Sequence, residues 1–155
     1  MRGHAEPEQV CCYSERKEET TITLMIRALA RLLLSLIFIK GGADAFLNPG
    51  NRPARVARFG IAQPERAVVL NGATMVVAGT ALALGWLPRL AAAILLGVLV
   101  PTTIVGHPFW QESDPQARQA QQIQFAKNLG LMGGLLLVLL EERQAKTRGA
   151  RLPGR

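Results

Sequence analysis

Catalytic side chains are scarce in this 155-residue chain. Its two cysteines, Cys11 and Cys12, are adjacent, and its two histidines, His4 and His107, lie far apart in sequence. This leaves no CxxC redox pair, no second cysteine pair to complete a structural zinc site, and no bis-histidine haem or all-protein histidine metal site within one chain. The expectation for metal is therefore none. The cysteines read as solvated thiols, with palmitoylation beside a membrane helix as the alternative. Aromatic residues make up only 5% of the chain, which argues against an aromatic-rich soluble core. A signal peptide is missing from residues 1–21 as well: Glu6, Glu8, Glu15, Glu18 and Glu19 lie there, with no apolar stretch before a small-residue cleavage site. The first apolar helix is therefore expected to stay as an anchor. Met25, just ahead of it, is an alternative native start.

What the chain does have is apolar length. It is 49% hydrophobic yet carries a formal net charge of +7. Those properties conflict in a soluble globule but fit a membrane bundle whose charges sit in tails and loops. The basic excess does not read as a nucleic-acid footprint, because the Lys and Arg residues flank apolar runs and do not line one polar face. A spanning helix needs about 20 mostly apolar residues. Four segments meet this, at about 25–46, 67–87, 90–106 and 115–142, the last opening on Asp114 as N-cap and Pro115 at the first helical position. Gln119, Gln121, Gln122 and Gln124 in its first turns belong outside lipid or against protein. A soluble bundle would show charged faces opposite apolar ones, whereas the second and third segments are apolar all round. The fold class expected is all-α, an integral membrane four-helix transmembrane bundle.

Residues 1–23 then form a cytoplasmic, disordered tail, 24–142 the membrane domain, and 143–155 a basic cytoplasmic tail. Basic residues beside the segment ends set the orientation. Arg27, Arg31, Arg89, Arg143 and Lys146 fall on the side of the termini, which favours both termini in the cytoplasm of a cell (inner) membrane. The opposite side is basic too, through Arg52, Arg55, Arg58 and Arg66. There the stretch 51–61 (NRPARVARFGI) alternates basic and apolar residues at helical spacing. Two readings stay open: a short helix in the headgroup layer with Val56 and Phe59 in lipid, or a solvated basic loop.

Helices in lipid associate through close packing, so small residues mark contact faces. Gly130 and Gly134, with Gly133 beside them, have small-xxx-small spacing, and Ala93 with Gly97 repeats it. Gly72 and Gly79 lie among the small residues of the second segment. Packing within the chain is expected at these faces, a homo-oligomer being the alternative. Pro101 removes a backbone donor and leaves the Gly97 carbonyl free, a kink that Thr102 or Thr103 could compensate.

Ranking the polar intramembrane residues by depth gathers them at one end. Lys40 and Asp44, Asn71, Thr102, Thr103 and His107, and Lys127 and Asn128 all fall in the outer third, while the inner halves are almost purely aliphatic. Lys40 and Asp44, four apart, are placed to pair, and Lys127 reaches the same carboxylate if the first and last helices are adjacent. Two readings stay open here also. One is a ligand site built from Lys40, Asp44, Asn71, His107, Lys127 and Asn128, fitting a quinone headgroup or a small oxyanion. The other is an interhelical lock. His107 to Trp110 reads as a helix exit with Phe109 and Trp110 in the aromatic belt, and His107 is also a candidate proton carrier.

Four stretches together match a known pattern: 31–46 (RLLLSLIFIKGGADAF), 84–92 (LGWLPRLAA), 100–110 (VPTTIVGHPFW) and 124–136 (QFAKNLGLMGGLL). The sequence resembles the DoxX family of small bacterial membrane proteins, in character an actinobacterial member, over residues 25–140. The resemblance implies a four-helix membrane fold and an association with redox and oxidative-stress biology, with soluble or membrane redox partner proteins. It supplies no catalytic residues to carry over. The function expected is an accessory subunit of a redox or stress-protection system, not a stand-alone catalyst, with quinone as the candidate cofactor. The alternatives are a membrane subunit of a thiosulfate:quinone or quinol-type oxidoreductase, and a small-molecule or lipid transporter. No redox centre is visible in the chain itself.

Overall fold

The computed structural model describes the backbone of residues 7–150 and the side chains of residues 20–140. Cys11, Cys12 and the side chains of both tails lie outside that range. Five α-helices follow one another: α1 (Pro7–Leu47), α2 (Arg52–Ala57), α3 (Pro64–Ala83), α4 (Pro88–Gly106) and α5 (Pro115–Ala150), with a 3₁₀ turn at Phe109–Gln111 between the last two. Four stretches are long and apolar enough to cross a membrane: Thr20–Leu47, Pro64–Ala83, Pro88–Gln111 and Pro115–Leu140. At about 1.5 Å per residue, even the shortest covers the roughly 30 Å of a hydrocarbon core. The protein is an integral membrane four-helix bundle. Large apolar side chains such as Leu33, Leu70, Val77 and Leu137 point outward, which suits lipid and would be costly in water. The α1 backbone begins at Pro7, well ahead of the start expected near residue 25, and only its later part forms the span.

Proline and glycine set the helix limits. α3, α4 and α5 each begin on proline, whose missing N–H falls where the helix has no acceptor to offer. Asp114 caps α5 as expected, accepting the Ala117 N–H at 2.8 Å. The turn between α3 and α4 is made ahead of Pro88, where α4 begins. Trp86 N–H donates to the Ala81 carbonyl at 2.8 Å and Gly85 N–H to the Leu82 carbonyl at 3.1 Å. Gly85, at φ 69°, occupies the left-handed position this helix ending requires.

The core is apolar, with Phe38, Leu82, Leu95 and Leu135 sealed within the bundle. Hydroxyls in the spans satisfy themselves on the preceding turn: Ser35 donates to the Arg31 carbonyl, Thr102 to Val98 and Thr103 to Leu99, each at 2.7 Å. The threonines thus bond carbonyls beside that of Gly97, and not the one Pro101 frees. α4 nonetheless runs on through Pro101.

The closest approach lies between α1 and α3. A Cβ at Gly42 would sit 2.6 Å from the Gly72 carbonyl oxygen, and one at Gly72 would sit 2.7 Å from that of Gly42. Gly79, about two turns further along α3, packs on Phe38 and Ile39. The small-residue faces expected on the last two helices turn out differently. Gly97, Gly130 and Gly133 have open space where a Cβ would project, and Gly134 touches only Leu34. The reason is arrangement: α1 packs on α3, α3 on α4 and α4 on α5, with no extensive packing between α5 and α1 among the described residues to use those glycines. The short helix α2 packs across α3 and α4.

Candidate functional site

The end of the bundle away from the termini holds a cavity of about 520 Å³. All four spans and α2 contribute to its wall. Of the six residues expected to form a site, Asn71, His107, Lys127 and Asn128 line it, whereas Lys40 and Asp44 do not. The missing pair has a local explanation. The chain reverses after α1 through Asn48, Pro49 and Gly50, the last at φ 51°, which brings Arg52 back against the helix end. There Arg52 forms an ion pair with Asp44 and also donates to the Asn48 carbonyl at 2.7 Å. A guanidinium can hold carboxylate and carbonyl together, which the single ammonium of Lys40 one turn back cannot match. Lys127 does not reach Asp44 either. It is exposed at the cavity edge, without an ion-pair partner among the described residues.

Two hydrogen-bonded chains fix the polar part of the wall. Asn71 Nδ2 donates to Thr102 Oγ1 at 2.9 Å, tying α3 to α4. Asn128 Nδ2 donates to Thr103 Oγ1 at 3.0 Å, tying α5 to α4. Each threonine passes its own proton to the backbone, so both amides are positioned; Asn71 Nδ2 also donates to Met75 Sδ at 3.6 Å and keeps its carbonyl, while Asn128 keeps one donor and its carbonyl. His107 Nδ1 lies 2.8 Å from Gln121 Oε1. That carbonyl can only accept, so Nδ1 is the donor in this contact and Nε2 takes no part in it. The same threonines that join the helices thus orient the amides at the cavity wall.

α2 is the part that sequence reading placed elsewhere. Arg52, Arg55 and Val56 all line the cavity, with Ile61 from the following loop. Val56 is half-buried here and does not project into lipid. Arg55 donates to the Gly106 carbonyl at 2.9 Å, pinning α2 over the end of α4. The available signal was the helical spacing of Arg52, Arg55 and Val56, which marks an amphipathic turn without saying what its apolar side covers. Beneath this rim the walls are apolar, including Phe38, Val68, Met75, Leu99 and Leu131. Phe109 and Trp110 pack edge-on with Phe125 of α5, closing the connection between α4 and α5. No group of three or more metal-ligating side chains occurs among the described residues.

The family model described as DoxX matches residues 26–108, more than half of the chain. The chain belongs to the DoxX family. Its DoxX match takes in α2, α3, α4 and His107 and ends before α5, so Lys127 and Asn128 lie beyond it. Among curated proteins the chain is similar to the inner membrane protein YphA of Escherichia coli (strain K12), at 26% identity over 112 residues. That alignment covers 72% of this chain and 79% of YphA. No solved structure matches.

Proposed function

We propose that this DoxX-family protein is an accessory, non-catalytic subunit of an inner-membrane redox or stress-protection system, binding a small ligand in the cavity at the end of the bundle. The observation that carries the reading is the joint wall. Asn71 and Asn128, held by Thr102 and Thr103, face the same space as Lys127 and His107, above an apolar floor. A few fixed polar groups over apolar walls, in a volume of roughly 300–1,000 Å³, are what small-molecule sites share. With both termini cytoplasmic, as the basic residues at the termini favour, the cavity belongs to the outer leaflet. The inner-membrane setting is supported by the name of the YphA relative, and the redox setting by the sequence resemblance.

A second reading, a membrane subunit of a quinone-linked oxidoreductase, is favoured by one feature. His107, a residue type able to carry protons, stands at the edge of a cavity where the remaining Asn128 amide donor faces the space a quinone carbonyl would take. Quinone is then the cofactor to look for, and its ring supplies the electron chemistry the chain lacks. A transporter gains less support, since α4 continues through Pro101 and discontinuous helices are the usual mark of such sites.

The test is to purify the full chain in mild detergent and identify co-purifying small molecules and proteins by mass spectrometry. The same is done for Ala67→Trp, which fills the cavity from α3. A molecule bound one per chain to the parent and lost from the folded variant supports the reading. Retention of the same molecule by Ala67→Trp, or no bound molecule in either protein, overturns it.

A further inference from the structure

We propose that the ligand of this cavity is an anionic amphiphile of the membrane, an acidic headgroup on an apolar chain, admitted sideways through the gap between α1 and α5. The proposal rests on the small-ligand reading above and adds its chemistry and its route. Charge comes first. Arg52, Arg55 and Lys127 line the cavity, and no carboxylate does among the described residues. Arg52 is matched by Asp44 beside the wall. Among the described residues Arg55 bonds the neutral Gly106 carbonyl and has no ion-pair partner, and neither does Lys127. Lys127 lies within the α5 span, where an unmatched cation is costly, and an anion between it and Arg55 would gain charge-assisted hydrogen bonds from α5 and α2 at once.

The apolar walls decide what that anion is attached to. Phe38, Met75, Leu99 and Leu131 form the inner part of the cavity. A free inorganic anion would leave these side chains facing trapped water, and a neutral quinone would leave the cations unmatched. An acidic headgroup with a hydrocarbon chain answers both.

The route follows from helix order. Among the described residues α1 and α5 have no extensive mutual packing, and both line the cavity: Ile37 and Gly41 from α1, Gln124 and Lys127 from α5. Ile37 is 49% exposed, and Lys127 is exposed opposite it, so this seam is open to the bilayer. A lipid chain can lie in the seam while its headgroup sits under α2.

The experiment uses the full chain in phosphatidylcholine nanodiscs, with binding read by native mass spectrometry. Four probes separate the sources: oleyl phosphate, oleyl alcohol, inorganic phosphate and decylubiquinone. Oleyl phosphate is expected to bind one per chain, about tenfold or more tighter than oleyl alcohol, with inorganic phosphate unbound. Lys127→Met should weaken oleyl phosphate about tenfold and leave oleyl alcohol unchanged. Ile37→Trp, which narrows the seam, should weaken both chains. Equal binding of phosphate and alcohol, or indifference to Lys127→Met, overturns the anionic headgroup. Binding of inorganic phosphate or decylubiquinone in place of oleyl phosphate overturns the amphiphile and leaves the small-ligand reading standing. If none of the four binds to protein that melts normally, both readings fall together.

Discussion

Helix α1 borders two neighbours in the bundle and meets them in opposite ways. Against α3 it is closed to the limit: Gly42 and Gly72 bring the backbones together, and Gly79 lets Phe38 and Ile39 settle on the same helix. Against α5 it is open, touching at Leu34 and Gly134 and leaving the cavity beyond. In lipid, helix association depends on packing because hydrocarbon solvates an apolar face as well as a neighbouring helix does. A seam with matched glycines therefore closes. One bordered by exposed Ile37 and Lys127 can stay open at little cost. The glycines of α5 do not alter this, since at Gly130 and Gly133 nothing approaches.

The largest effect should come from breaking the closed seam. Gly72→Val puts a branched side chain where a single Cβ already lies 2.7 Å from a backbone oxygen and 2.9 Å from the Phe46 nitrogen. Neither can move without shifting α1, so the expected loss is about 3 kcal/mol, measured by unfolding in detergent. Stability within error of the parent would mean the helices are not this close.

A smaller effect tests the hydrogen bond that joins α3 to α4 at the cavity. Asn71→Leu and Thr102→Val in a double-mutant cycle should show a coupling of about 0.6 kcal/mol, the usual size for a polar bond between spans. A coupling near zero would mean that Asn71 faces the cavity without bonding Thr102.

On the open side, Gly130→Ala should be neutral or stabilising by about 0.5 kcal/mol, because alanine favours the helix and meets no neighbour. A destabilisation that grows as the protein is diluted would instead place this face in a homo-oligomer.

The smallest effect is an expected absence. Asp44→Asn and Lys127→Met should shift the melting temperature independently, the double variant giving the sum of the single shifts, because Asp44 pairs with Arg52 and not with Lys127. Strong non-additivity would restore the lock between the first and last helices and close the seam.

Much of this molecule is legible along the chain, and the legible parts are local. The four spans follow from apolar runs and the start of α5 from Asp114 and Pro115, whereas α3 and α4 begin at Pro64 and Pro88, a few residues ahead of the starts read from apolar runs at about 67 and 90. Depth alone brought Asn71, His107, Lys127 and Asn128 to one end, because rise along a helix fixes how far each residue lies from its ends. What depth does not contain is rotation about the helix axis and the order of helices around the bundle. Those decided that Gly42 and Gly72 meet while Gly97, Gly130 and Gly133 do not, though all occur in small-residue patterns. They decided that Asp44 takes Arg52 across the turn at Gly50 in preference to Lys40 on its own helix. They also folded Arg55 and Val56 over the cavity, giving it the positive rim that the linear pattern offered to lipid headgroups. The sequence by itself determined the spans, their lengths and the depth of each polar group, since hydrophobicity and helical rise act residue by residue. Only the tertiary structure decided which seam closes and which stays open, because close packing depends on the shapes of two surfaces brought face to face.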